Sequence, residues 1–206
     1  MRGNTATAAA SLTGLILALS ACTAQSGENA DEGSPVVYYT DYPVFDTPAD
    51  LSSASDLVVE GIITGSEVQE LDILAPPEEG LSAEEDPGLG APDAPDEVLL
   101  VYTVHRVEVT SVLAGEAEVG QSIEVKTLGG TLDGVVYAED DPAELDRGAP
   151  QVLFLSGEAD GGTPFSLVSS TQGAYTLESD GSLEPVSVQN PVVISEDEAA
   201  EIFDLE

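Results

Sequence analysis

Ile123, Val125 and Thr127 alternate with Ser122, Glu124 and Lys126, the period of a strand with one face in water. The run before it, Val98 to Leu113, behaves differently: Leu100, Tyr102 and Val104 keep one frame, Val107 and Val109 the other, so the inward face changes parity near His105 and Arg106. A β-bulge accounts for that change, and so does a strand buried on both faces at one end. Joined by the turn Ala114 to Gly120, these two runs form the pair from Glu97 to Gly130 around which the chain is expected to organise.

The remaining pattern adds strands to that pair. Thr47-Pro48-Ala49-Asp50 opens a short helix, with a capping threonine, proline at the first helical position and an acid in the first turn. Leu57 to Gly65 reads as the first long strand, and Gly61 inside it as a bend or bulge. Gln151 to Ser156 is apolar in both frames, which predicts a central strand covered on both sides. Gly129-Gly130 and Asp133-Gly134 mark turns, Asp160-Gly161-Gly162 leads into a hairpin strand at Phe165 to Val168, and Ser179-Asp180-Gly181 joins Gly173 to Leu177 with Leu183 to Val188. Ser195 and Glu198 have capping-box spacing for a terminal helix. Val36 to Tyr39 is a short edge strand or arm, its Tyr38 and Tyr39 expected in the core, with a binding surface as the alternative. Residues 72–96 hold Pro76, Pro77, Pro87, Pro92 and Pro95 without periodicity and read as a disordered acidic insertion, a functional loop being the alternative. The expected fold is all-β: a small barrel of about five to seven strands, a short helix before the first strand and a short C-terminal helix.

A length of 206 residues fits one domain, here 36–206, with tails. At the start, Arg2, the apolar run Leu12 to Leu19 and the small pair Ser20-Ala21 precede Cys22, the chain's one cysteine. The run is far shorter than the roughly 20 residues a spanning helix needs, so 1–21 reads as a signal peptide that is removed. Leu19-Ser20-Ala21-Cys22 resembles the lipobox of bacterial lipoproteins, and that resemblance implies lipidation of the Cys22 thiol and cleavage before it. A thioether-linked diacylglycerol supplies two acyl chains, enough for stable anchoring on the outer face of a cell membrane. Residues 22–35 then form a polar tether about 20 Å long on average. No disulfide is available, so the fold must rest on its core.

Forty acidic residues against four basic ones give a formal net charge of −36. Nucleic acid and anionic headgroups are repelled, which leaves cations, basic proteins or another envelope protein as partners beside the membrane. The balance suits a salty or cation-rich surrounding, or serves solubility alone. Candidate chemistry is sparse. His105, the sole histidine, sits mid-strand without partners for a zinc site and reads as a sheet residue. There is no Gly-x-Ser-x-Gly elbow, phosphate loop or dinucleotide fingerprint. Calcium is the one cofactor on offer, through Asp140, Asp141, Glu144 and Asp146 in the loop from Ala138 to Arg147, and a plain solvated loop is the alternative.

Ser55 to Gly61, Tyr102 to Val104, Val112 to Glu116, Val125 to Gly130, Val152 to Leu155 and Gln172 to Tyr175 together resemble secreted bacterial domains with an OB-type barrel, similar in outline to netrin and tissue-inhibitor-of-metalloproteinase modules. The resemblance implies a fold and no catalytic signature. The inhibitor branch acts through a free N-terminal cysteine, a role that a lipidated, remote Cys22 does not fit. The expected function is a non-enzymatic, lipid-anchored interaction or structural module outside the cytoplasm. The alternatives are a divalent-cation-binding surface lipoprotein, or an atypical hydrolase with two carboxylates or a serine beside His105. Because one lysine and a few arginines cannot neutralise forty acids, melting temperature should rise with sodium chloride as screening relieves self-repulsion; a flat or falling curve would show that the acids do not repel one another in the fold.

Overall fold

β-Branched residues on alternate faces and glycines at the points of closest approach shape a barrel-like sheet. The computed structural model describes residues 34–73, 98–140, 142, 145–157 and 163–203. The expected signal, Cys22, most of the tether and nearly all of the 72–96 insertion lie outside these residues. In chain order the elements are β1 (Val36–Tyr38), α1 (Pro48–Ser53), β2 (Leu57–Asp72), β3 (Leu99–Ala114), β4 (Ser122–Leu128), β5 (Gly130–Leu132), β6 (Val135–Glu139), β7 (Pro150–Ser156), β8 (Phe165–Leu167), β9 (Ala174–Leu177), β10 (Leu183–Pro185) and α2 (Glu196–Phe203).

The longest pairing is β2 with β3, antiparallel from Val58↔Ala114 to Asp72↔Leu99. The first long strand therefore runs past Gly65, and Asp72, expected to begin the insertion, is its last residue. Ile73 N donates to Val98 O and Val98 N to Asp72 Oδ1, which closes the end of the pair. One register slip skips Thr64 of β2, opposite the step from Arg106 to Val107. That extra residue bulges β2, whereas β3 keeps an unbroken register with β4 from Tyr102↔Leu128 to Glu108↔Ser122, so the side chains of β3 alternate without a change of parity. Val104 and His105 are both buried, at 6 % and 9 % exposure, so the apolar residues in both frames reflect a strand covered on two faces at this point. A second slip falls between Glu60 and Gly61. A Cβ at Gly61 would lie 2.5 Å from Val107 Cγ1 and 3.0 Å from Glu108 O, so the two strands approach there as only glycine allows.

The main sheet runs β10-β9-β7-β2-β3-β4-β8, and β8 also pairs with β7. Its two contacts are short: Val125↔Phe165 and Lys126↔Ser166 parallel to β4, Leu155↔Leu167 and Ser156↔Ser166 antiparallel to β7. Pairing therefore passes around β2-β3-β4-β8-β7 with a thin seam at β8, a partly open, OB-like five-stranded barrel inside an all-β chain. A separate sheet, β1-β6-β5, lies beside it. Gly129 and Gly130 make that transition with φ of 98° and 143°. A Cβ on them would fall 2.7 Å from Tyr137 O and 2.7 Å from Val68 Cγ1 respectively.

β7 is buried from Gln151 to Leu155. Leu153 and Leu155 join Leu57, Val59, Ile63, Val107, Val125 and Phe165 inside the barrel. Val152 and Phe154 point the other way, into a second core with Leu51 of α1, Tyr175, Leu183, Ile194 and Phe203 of α2. The Phe154 ring meets Tyr175 edge-on at 5.4 Å and Phe203 at 6.1 Å. Both helices start as their sequences predict. Asp50 N donates to Thr47 Oγ1 at 3.2 Å, while Ser195 N and Glu198 N exchange bonds with Glu198 Oε2 and Ser195 Oγ at 3.0 and 3.4 Å.

Two expectations need correction. Tyr39 is 81 % exposed and packs in no core, because it lies just past the end of β1, while the Tyr38 hydroxyl reaches Val101 of β3. Ala138 and Glu139 are strand, not loop, and Glu139 is buried at 6 % exposure because pairing with β1 carries β6 to its end. Gly61→Ala should cost about 1–3 kcal/mol in urea unfolding, the usual penalty of overpacking; a loss below about 0.5 kcal/mol would mean that β2 and β3 have room to separate.

Candidate functional site

Residues 34–45 form an arm before α1, and two of its side chains, Thr40 and Tyr42, meet at one carboxylate. The parallel register Tyr38↔Glu139 brings the arm alongside β6. Thr40 Oγ1 donates to Glu139 Oε1, and Ser170 Oγ to Oε2 at 3.0 Å. The Tyr42 phenol also bonds this carboxylate, and burial followed by the Glu139 charge pushes its pKa well above the ordinary 10.0. Further along, Val101 N donates to the Tyr38 hydroxyl at 3.3 Å. Phe45 N and O are bracketed by the buried Gln172 amide, at 2.8 and 2.9 Å. A buried charge is costly unless hydrogen-bonded, and Glu139 meets that need with hydroxyls from the arm and from the β8–β9 loop.

Beside Glu139 opens a cleft of about 180 Å³. Its walls are Tyr42 of the arm, Tyr102 of β3, Lys126, Thr127 and Leu128 of β4, and Ser166, Leu167 and Ser170. Tyr102 pairs with Leu128 and Val104 with Lys126, so Lys126 reaches diagonally across to Tyr102, its Nζ 5.6 Å from the ring centroid. Burial lowers the Lys126 pKa, and no carboxylate among the described residues offsets the effect. Burial, then the charge of Glu139, raises that of Tyr102.

The opposite face of the same strands carries His105. Its Nδ1 lies 2.9 Å from Ser66 Oγ, and its Nε2 3.0 Å from Thr127 Oγ1. Cross-strand pairing of Ser66 with His105 creates the first contact, which 39 residues of sequence separation and an intervening bulge concealed. The imidazole is thus a sheet residue that bridges two hydroxyls. Burial, then the positive charge of Arg147, lowers its pKa. Neither nitrogen is backed by a carboxylate of the kind that orients the histidine of a catalytic triad. A polar groove of about 290 Å³, with Glu67, Arg106 and Glu124 on its walls, lies along the same stretch of β2, β3 and β4.

Of the expected calcium ligands, Asp140 and Asp146 are exposed, and Asp141 and Glu144 lie outside the described residues. Among the described residues no three His, Cys, Asp or Glu side chains converge as a metal site, and no helix is long and apolar enough to cross a membrane. Comparison of the chain with protein-family models, curated proteins and solved structures gave no match.

The depressed pKa of His105 gives a signed expectation. The unfolded chain takes up its proton near the ordinary 6.5 and the folded chain only at lower pH, so the stability His105 contributes is present above 6.5 and lost as pH falls through the folded pKa. Between about pH 7.5 and 5.5 the wild type should lose stability relative to His105→Gln. Parallel denaturation curves for the two proteins would show that the imidazole titrates normally in the fold.

Proposed function

We propose that this chain is a lipid-anchored, extracytoplasmic binding module whose barrel presents a polar cleft and performs no chemistry. The observation that carries the anchor is the one cysteine, set behind Leu19-Ser20-Ala21 and ahead of a polar stretch that reaches the first strand at Val36. A barrel whose arm is the segment next to that stretch suits a tethered domain, because the arm is fixed to the barrel at Glu139 and at Gln172. The binding role is supported by the cleft itself, which has hydroxyls, a carboxylate and an ammonium on an apolar base of Leu128 and Leu167.

The Ser66–His105 contact favours a second reading, a hydrolase. It is the weaker one, because a depressed imidazole pKa without a carboxylate behind the ring leaves nothing to stabilise the imidazolium a serine nucleophile would require.

Cys22→Ser should move the protein from the detergent phase to the aqueous phase on temperature-induced separation and release it from membranes. Partitioning unchanged by that substitution would contradict the anchor.

A further inference from the structure

Lys126 is the chain's one lysine, and Glu139 is a buried carboxylate in a chain with forty acids. They share a cleft, yet neither has an ionic partner among the described residues. Lys126 lies over the Tyr102 ring, and Glu139 is held by the hydroxyls of Thr40, Tyr42 and Ser170. Buried or half-buried charges are ordinarily paired, because desolvation costs more than neutral hydrogen bonds return. The ammonium stands 5.6 Å from the Tyr102 ring centroid while the carboxylate oxygens accept from Thr40 and Ser170, so the two charges form no ion pair with each other.

We infer that this cleft binds a small zwitterion, an amino acid or a short peptide with free ends, whose carboxylate meets Lys126 and whose ammonium meets Glu139. The inference rests on the reading of the domain as a binding module and names its ligand class. Size and charge both support it. About 180 Å³ accommodates a ligand of amino-acid size and is smaller than the clefts that take drug-sized molecules. A net charge of −36 repels a simple anion before it reaches Lys126, whereas a ligand with no net charge meets no such barrier. A simple cation would satisfy Glu139 and leave Lys126 as it is. Only a ligand carrying both charges settles both ends at once.

The test is titration of the full-length protein in detergent with glycine, alanine and alanyl-alanine, and with acetate and ethylamine as the two halves. Calorimetry gives the affinity. Tyrosine emission reports the cleft, since the chain has no tryptophan and Tyr42 and Tyr102 line it. At least one zwitterion should bind with a Kd below about 1 mM, and each half at least tenfold more weakly. Lys126→Met should reduce that affinity at least tenfold with melting temperature retained, and Lys126→Arg should restore part of it. Glu139→Gln should do the same to the ammonium end, and if it loosens the arm, the lysine variants still decide the matter. No saturable binding of any zwitterion, acetate binding as tightly as alanine, or Lys126→Met binding as tightly as wild type would each overturn the proposal. Detergent partitioning is read separately, so a protein that stays anchored but binds no zwitterion refutes the ligand and leaves the anchor intact.

Discussion

Burial of β7 on both faces is the constraint on which the rest of the structure depends. Gln151 to Leu155 are all buried, with Leu153 and Leu155 turned into the barrel and Val152 and Phe154 turned toward the helices. Each large apolar side chain so placed stabilises the fold by about 1.5–3 kcal/mol relative to exposure. No cystine is available, and one strand does the joining that a cross-link performs in many small extracytoplasmic domains. Because β7 pairs with β2, β8 and β9, the barrel and the outer helical layer share a wall and neither core can open without disturbing the other.

Charge is distributed in keeping with that plan. Among the described residues most acids stand on exposed loops, strand faces and α2, where water and ions screen them. Glu139 is the exception, and its place explains why the arm stays on the barrel: the carboxylate on β6 is solvated by hydroxyls from the arm and from the β8–β9 loop, so the three segments form one unit. The cleft opens beside that unit. Its geometry is accordingly tied to the docking of the segment nearest the expected anchor.

Much of the fold was legible because its signals are local. The two-sided apolar run at Gln151 to Ser156, the caps at Thr47 and Ser195 with Glu198, the Asp133-Gly134 turn and the bend at Gly61 all depend on residues within a few positions of one another. The candidate site was not legible, because distant pairing builds it. Glu139 looked like one more acid in an acidic loop until parallel pairing with β1 buried it. Ser66 meets His105 only through a register that a skipped Thr64 sets. Lys126 alternated correctly as the wet face of β4, but the β3 partner and the arm half-bury that face. Tyr39 failed for the same reason in reverse: aromatic character predicted burial, and a strand that ends at Tyr38 left the next side chain in water.

Native-state hydrogen exchange on the amides of β7, compared with those of β3 and of β9, tests the shared wall most directly. The account predicts that protected amides of all three strands exchange through one opening, with a common free energy and a common denaturant dependence. If β9 and the helical layer were to exchange through a distinct, lower-energy opening that leaves β7 and the barrel protected, the two cores would be independent and the account would be contradicted.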